Sequence, residues 1–156
     1  MYKGPVGAPC TGTPLSAQVT LSKPNDTGAI TMNHQSNWLA GGCHCGAVRF
    51  RVLIDKRQAV ACNCSICAKK AMINVIVPAE SFELLSGEDA LASYRFNTRQ
   101  AEHRFCRTCG IHPFSRPRSH PGAYDINGRC LDDGLDGWEI SEFDGQHWEE
   151  NVHKLR

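Results

Sequence analysis

Hydrophobic and polar residues alternate along much of the chain after Trp38, with the two-residue period of half-buried β-strands. Residues 47–53 alternate around Arg49 and Arg51, and residues 73–77 form a short run rich in β-branched side chains. Further strand-like segments cover residues 82–85, 91–96 and 103–105. The pattern therefore predicts a mostly β fold.

Helical periodicity is scarce, and the sequence predicts only short helical turns near residues 65–72 and 78–81. Three prolines in residues 113–121 exclude a long helix there and predict an ordered loop. Residues 138–140 and 146–148 flank a Phe-Asp-Gly turn signal, so we predict a closing β-hairpin.

The first 37 residues differ from the rest, because they are rich in Thr, Ser, Pro and Gly and show no sustained period. Such a segment buries little apolar surface, so we predict a flexible extension, residues 1–37, that the functional domain does not need. The functional domain is expected to comprise residues 38–156.

The charge balance gives no sign of a polyanionic partner. Seventeen basic and sixteen acidic residues leave a formal net charge of +1, so nucleic acid is not an expected partner. No apolar run approaches the roughly 20 residues of a membrane span, and no secretory signal is recognisable. We therefore expect a cytoplasmic protein with reduced thiols, whose clustered cysteines are metal ligands rather than disulfides.

Seven of the nine cysteines fall into three clusters with the spacing of zinc ligands. The first and last clusters are pairs, Cys43 with Cys45 and Cys106 with Cys109. In an extended chain the first pair would point to one side, and Gly110 would allow a tight knuckle at the second. Four thiolates complete one tetrahedral shell, so these pairs predict a structural zinc site.

The middle cluster is a trio, Cys62, Cys64 and Cys67, which leaves a second zinc ion one ligand short. An exchangeable fourth position is typical of catalytic zinc. The alternative is a closed structural site with a fourth protein ligand. Candidates for that ligand are His103, His112, Cys130 and Cys10.

Three segments together resemble the glutathione-dependent formaldehyde-activating enzyme family, which includes centromere protein V. They are residues 42–50 (GCHCGAVRF), 62–67 (CNCSIC) and 105–114 (FCRTCGIHPF). The resemblance implies a β-rich fold like that of a Rab-binding zinc chaperone, with two zinc ions. It assigns the structural zinc to the two pairs and the catalytic zinc to the trio. The implied activity is that of a carbon–sulfur lyase, which joins glutathione and formaldehyde in a small thiol–aldehyde adduct.

Four basic residues are candidates for contacts with substrate carboxylates: Lys69, Lys70, Arg116 and Arg118. Their alternative role is solvated surface charge. The sequence also departs from many relatives, which have histidine at Asn63 and a basic residue at Ala68. These departures leave the cysteines intact but change the surroundings of the trio.

A second interpretation is a non-catalytic zinc module that binds a protein or chromatin. Its support is the resemblance to centromere protein V, but the chain has no long basic arm. A thiol redox protein is a third interpretation, and it lacks the βαβ pattern of thioredoxin-like folds. The zinc-dependent enzyme is therefore our leading prediction.

Overall fold

The computed structural model describes residues 37–155. The strands are β1 (Trp38–Gly42), β2 (Arg49–Leu53), β3 (Gln58–Cys62), β4 (Ile73–Val77), β5 (Phe82–Ser86), β6 (Leu91–Tyr94), β7 (Glu102–Cys106), β8 (Phe114–Arg116), β9 (Tyr124–Asn127) and β10 (Glu139–Phe143). The helices are α1 (Ser65–Lys70) and α2 (Trp148–Asn151), with 3-10 turns at Ala79–Ser81, Gly128–Cys130 and Val152–Leu155. Within this part of the chain, every helix is too short or too polar to cross a membrane.

The strands form two sheets. The smaller sheet has the order β1-β2-β5, and all its pairs are antiparallel. The larger has the order β10-β3-β4-β9-β8-β7-β6, in which only the β10–β3 pair is parallel. The mostly β prediction is confirmed.

Aromatic side chains from both sheets form the centre of the core. Phe50 on β2 is fully buried and lies 6.1 Å from Phe114 on β8, between ring centroids. Phe82 on β5 stacks on Tyr124 of β9 at 4.0 Å. Alternate residues of β8 and β9 therefore pack toward the small sheet, and the residues between them point to the opposite face.

Most predicted elements exist, and one is wrong. The strand predicted at residues 73–77 has the same bounds as β4, and both predicted helical turns are present. The closing hairpin is not formed: β10 pairs in parallel with β3, and α2 begins at Trp148. The alternation pattern did not reveal β1, β3, β8 or β9, each five residues or fewer. The extension predicted for residues 1–37 lies outside the described residues, apart from Asn37, and stays a prediction.

Candidate metal centres and cavity

Four sulfur atoms converge where the turn after β1 meets the end of β7. The Sγ atoms of Cys43, Cys45, Cys106 and Cys109 all lie within 4.8 Å of one another. Cys43 Sγ is 3.5 Å from Cys45 Sγ, which is 3.7 Å from Cys106 Sγ. Cys43 and Cys106 are buried, whereas Cys45 is exposed. The two pairs thus meet although they are about sixty residues apart in the chain.

Both pairs lie in tight turns, which corrects the expectation of an extended chain at Cys43 and Cys45. The amide of Gly46 donates to the Cys43 carbonyl, and Gly110 donates to the Cys106 carbonyl at 2.9 Å. Both glycines have positive φ, 78° and 74°, which other residues adopt at a cost. The Val48 amide also donates to Cys43 Sγ at 3.3 Å. Such knuckles direct backbone dipoles at the sulfurs and favour thiolates.

The trio lies at the end of β3 and in helix α1. The Sγ atoms of Cys62, Cys64 and Cys67 are within 4.8 Å of one another, and all three residues are partly buried. Among residues 37–155, no fourth His, Cys, Asp or Glu atom joins this group. Of the fourth-ligand candidates, Cys10 lies outside the described residues.

The surroundings of Cys64 favour its thiolate form. Hydrogen bonds from Cys62 and Cys67 lower the pKa of Cys64, and backbone amides at the start of α1 act in the same direction. The Cys67 thiol also lies 3.6 Å from Asn74 Oδ1, an acceptor on the neighbouring β4. Hydrogen bonds within the trio raise the pKa of Cys62 and of Cys67, so the arrangement favours a thiolate at Cys64 alone.

The trio lines a cavity of about 720 Å³ on one face of the larger sheet. Its apolar walls include Ile76, Phe96 and Trp148. Its polar lining includes Asn74, His103, Ser115 and Asp125. The volume is within the range of roughly 300–1,000 Å³ typical of small-molecule sites. Sequence reasoning missed Asp125 and Ser115, because neither carries a motif.

The structure brings two of the four basic candidates to this cavity. Lys69 and Arg118 line it, and Arg118 also binds Glu149 at 2.9 Å. Lys70 instead lies over the Phe105 ring, where burial lowers its pKa. Arg116 follows Ser115 in β8 and therefore points to the opposite face of the sheet. There it donates to the Tyr124 hydroxyl. Strand alternation therefore separates Arg116 from the cavity.

Residues 38–149 match the family described as glutathione-dependent formaldehyde-activating enzyme. This match covers more than half of the chain, including all three cysteine clusters. The chain belongs to this family.

Two individual proteins extend the comparison. A Halomonas elongata protein with the provisional name glutathione-dependent formaldehyde-activating enzyme is 32% identical over 100 residues. That match spans 49% of this chain and 63% of the relative. A crystal structure of a Rhodobacter sphaeroides protein is 34% identical, with a TM-score of 0.62. The match covers 67% of this chain and 100% of the Rhodobacter chain, so the two proteins share a fold.

The four-sulfur group has the dimensions of a zinc site, the metal that the sequence resemblance implies. Zinc–sulfur bonds of about 2.3 Å place the sulfurs of a tetrahedral site about 3.8 Å apart. The separations of 3.5 and 3.7 Å in the four-sulfur group are close to this value. All-thiolate donor sets also favour zinc over magnesium or calcium.

The closing segment 143–147 lies against the trio, and Asn63 holds it there. Asn63 donates to Asp144 Oδ1 at 3.1 Å and accepts from the Gln146 amide at 3.0 Å. A Cβ atom on Gly145 would lie 2.5 Å from Cys62 Sγ, so the segment needs glycine there. Asn63 thus has a structural role beside the trio.

Proposed function

We propose that the protein is a zinc-dependent carbon–sulfur lyase that acts on an adduct of glutathione and formaldehyde. One observation carries the proposal: three convergent sulfurs line a ligand-sized cavity, and the described residues provide no fourth ligand. Membership of the family supports the choice of glutathione and formaldehyde. In this proposal the four-sulfur group holds a structural zinc ion, and the trio holds the catalytic zinc ion.

The chemistry needs a thiolate close to a carbonyl carbon. A zinc ion held by Cys62, Cys64 and Cys67 would supply a position at which a substrate thiol ionises near neutral pH. Lys69 and Arg118 lie where they can contact the carboxylates of a glutathione-type thiol. Apolar side chains of the cavity limit water around the reacting atoms.

Cobalt substitution tests whether the trio accepts a visiting thiol. Metal analysis of the zinc protein should return about two ions per chain, one for each sulfur group. After cobalt replaces the second zinc ion, we expect glutathione to change the ligand-field and thiolate absorption bands. S-methylglutathione is the matched control, because its blocked sulfur cannot become a thiolate.

Two results would contradict the proposal. A single tightly bound ion per chain would remove the two-site scheme. Unchanged cobalt spectra with glutathione and with other small thiols would indicate a closed site. That second result would favour the non-catalytic zinc module that binds a protein or chromatin.

A further inference from the structure

Three buried polar side chains form a row across the cavity face of the larger sheet. Asp125 on β9 pairs directly with Ser115 on β8, and Ser115 pairs directly with His103 on β7. Directly paired side chains lie on the same face, with Cβ atoms roughly 4.5–5.5 Å apart. We call Asp125, Ser115 and His103 the polar row.

The polar row is buried, yet it has unused hydrogen-bonding atoms. The three residues are 7%, 2% and 8% exposed, and all of them line the cavity with the trio. Asp125 Oδ1 and both ring nitrogens of His103 have no hydrogen-bond partner among residues 37–155. Buried polar atoms are nearly always paired, so an external polar group is the expected partner.

We propose that the polar row binds the oxygen of the aldehyde-derived group and that Asp125 exchanges a proton with it. This proposal rests on the proposed function and makes Asp125 a catalytic residue. When the adduct forms, a sulfur lone pair makes the carbon–sulfur bond, and the carbonyl π pair moves to oxygen. That oxygen takes the proton of the Asp125 carboxyl, and solvent then returns a proton to Asp125. Cleavage of the adduct runs these steps in reverse.

The surroundings keep Asp125 in the protonated form that this step needs. Burial raises the pKa of Asp125 to about 8, and the negative charge of Cys64 acts in the same direction. Burial lowers the pKa of His103, so its ring is neutral and can both donate and accept. A neutral row suits a hydroxyl or carbonyl oxygen better than it suits a carboxylate of glutathione.

The substitution Asp125→Asn separates proton transfer from binding, because the amide has nearly the same shape. NMR exchange spectroscopy would measure interconversion of hydrated formaldehyde and S-hydroxymethylglutathione, and cobalt spectra would give the glutathione Kd. We expect the catalysed rate to fall by roughly 100-fold or more, within the usual range for general acid–base groups. The Kd for glutathione should change less than about twofold, because the thiol binds at the trio. The exposed residue Asp133 provides the matched control, Asp133→Asn.

The outcomes separate this proposal from the proposed function. If wild-type protein neither binds glutathione nor accelerates exchange, the proposed function fails, and this proposal fails with it. If wild-type protein does both and Asp125→Asn retains the rate, only the role of Asp125 is wrong. A rate loss matched by an equal loss of glutathione affinity would also overturn that role.

A binding comparison tests the polar row without catalysis. S-(2-hydroxyethyl)glutathione and S-propylglutathione have similar shapes, but only the first offers a hydroxyl near the sulfur. Wild-type protein should bind the hydroxyl compound more tightly, by roughly fivefold for one added hydrogen bond. Asp125→Leu should lose this preference, while Asp133→Asn keeps it. Equal affinity of wild-type protein for the two compounds would contradict the proposal.

Discussion

Asp125 and Ile126 are neighbours in β9, and their side chains point to opposite faces of the sheet. Ile126 is fully buried in the core, and Asp125 lines the cavity. The Asp125 carboxyl is desolvated and forms no ion pair with any of residues 37–155, so its acid–base behaviour differs from that of a surface aspartate. The difference is measurable in protein stability as well as in catalysis.

We expect the wild-type protein to lose stability relative to Asp125→Asn as pH rises from about 4 to 8. The pKa of Asp125 in the folded protein is raised to about 8, above the value of about 3.9 for an unfolded chain. Between these values the folded state binds more protons, so stability falls with rising pH. The difference between the two proteins should change by up to about 1.4 kcal/mol per pH unit.

Denaturant unfolding at several pH values measures this difference. Both proteins keep all seven clustered cysteines, so the pH dependence of metal binding largely cancels in the comparison. Asp133→Asn should give a pH profile parallel to that of wild-type protein. A constant difference between wild type and Asp125→Asn over this range would show that Asp125 ionises normally.

The cysteine groups could be predicted from sequence, whereas the polar row could not. Cysteines two or three residues apart meet a metal through local geometry, which the spacing alone encodes. Asp125 and His103 meet only through the register of three strands, and β8 between them has just three residues. The position of Arg116 was equally hard to predict. A shift of one residue along a strand moves a side chain to the other face of the sheet.

At the scale of elements, the closing segment 143–147 depends on the β3–β10 pair. The sequence predicted a local hairpin here, because a Phe-Asp-Gly turn signal suits a hairpin. The structure instead pairs β10 with β3, from the first half of the domain, in parallel. Parallel strands are joined by a long connection rather than by a short turn, so no turn residues in the sequence indicate which strands pair.

Asn63→Ala should loosen the closing segment beside the trio. The substitution removes the bonds to Asp144 Oδ1 and to the Gln146 amide. We expect the Gln146 amide to exchange with solvent roughly fivefold faster, the effect of about one hydrogen bond. Hydrogen-exchange NMR measures this rate directly.

Gln58→Ala is the matched control for that experiment. Gln58 also bonds across the β3–β10 pair, to Glu139 at 2.8 Å, but at the end away from the trio. It should leave the exchange rate at Gln146 unchanged. Equal exchange rates in Asn63→Ala and wild-type protein would show that Asn63 does not hold the segment.

At the scale of the whole molecule, the two sulfur groups occupy different positions in the fold. The four-sulfur group joins the turn between β1 and β2, in the smaller sheet, to the end of β7 in the larger sheet. The trio lies within six consecutive residues beside one sheet. Loss of the first group therefore frees two distant segments, and loss of the second frees one local segment.

Cys106→Ser should destabilise the protein far more than Cys67→Ser. Each variant should lose one metal ion, but Cys106 is fully buried and belongs to the group that joins the sheets. Structural zinc contributes about 10–16 kcal/mol in small peptides, comparable to the whole stability of a domain. We expect Cys106→Ser to be largely unfolded and Cys67→Ser to keep its β-sheet circular dichroism.

Chelation gives an independent check on the two variants. A chelator added to wild-type protein should remove the ion of the trio first and the ion that joins the sheets only with unfolding. Equal stability of Cys106→Ser and Cys67→Ser, measured in urea, would show that neither group holds the sheets together.

The parallel pairing of β3 with β10 also has a consequence for the order in which the chain folds. Gln58 meets Glu139, 81 residues later, so the wall beside the trio forms only after β10 has been synthesised. The three sulfurs themselves lie within one short segment that is synthesised before β10. During synthesis the trio therefore leaves the ribosome before the strand that forms the wall beside it.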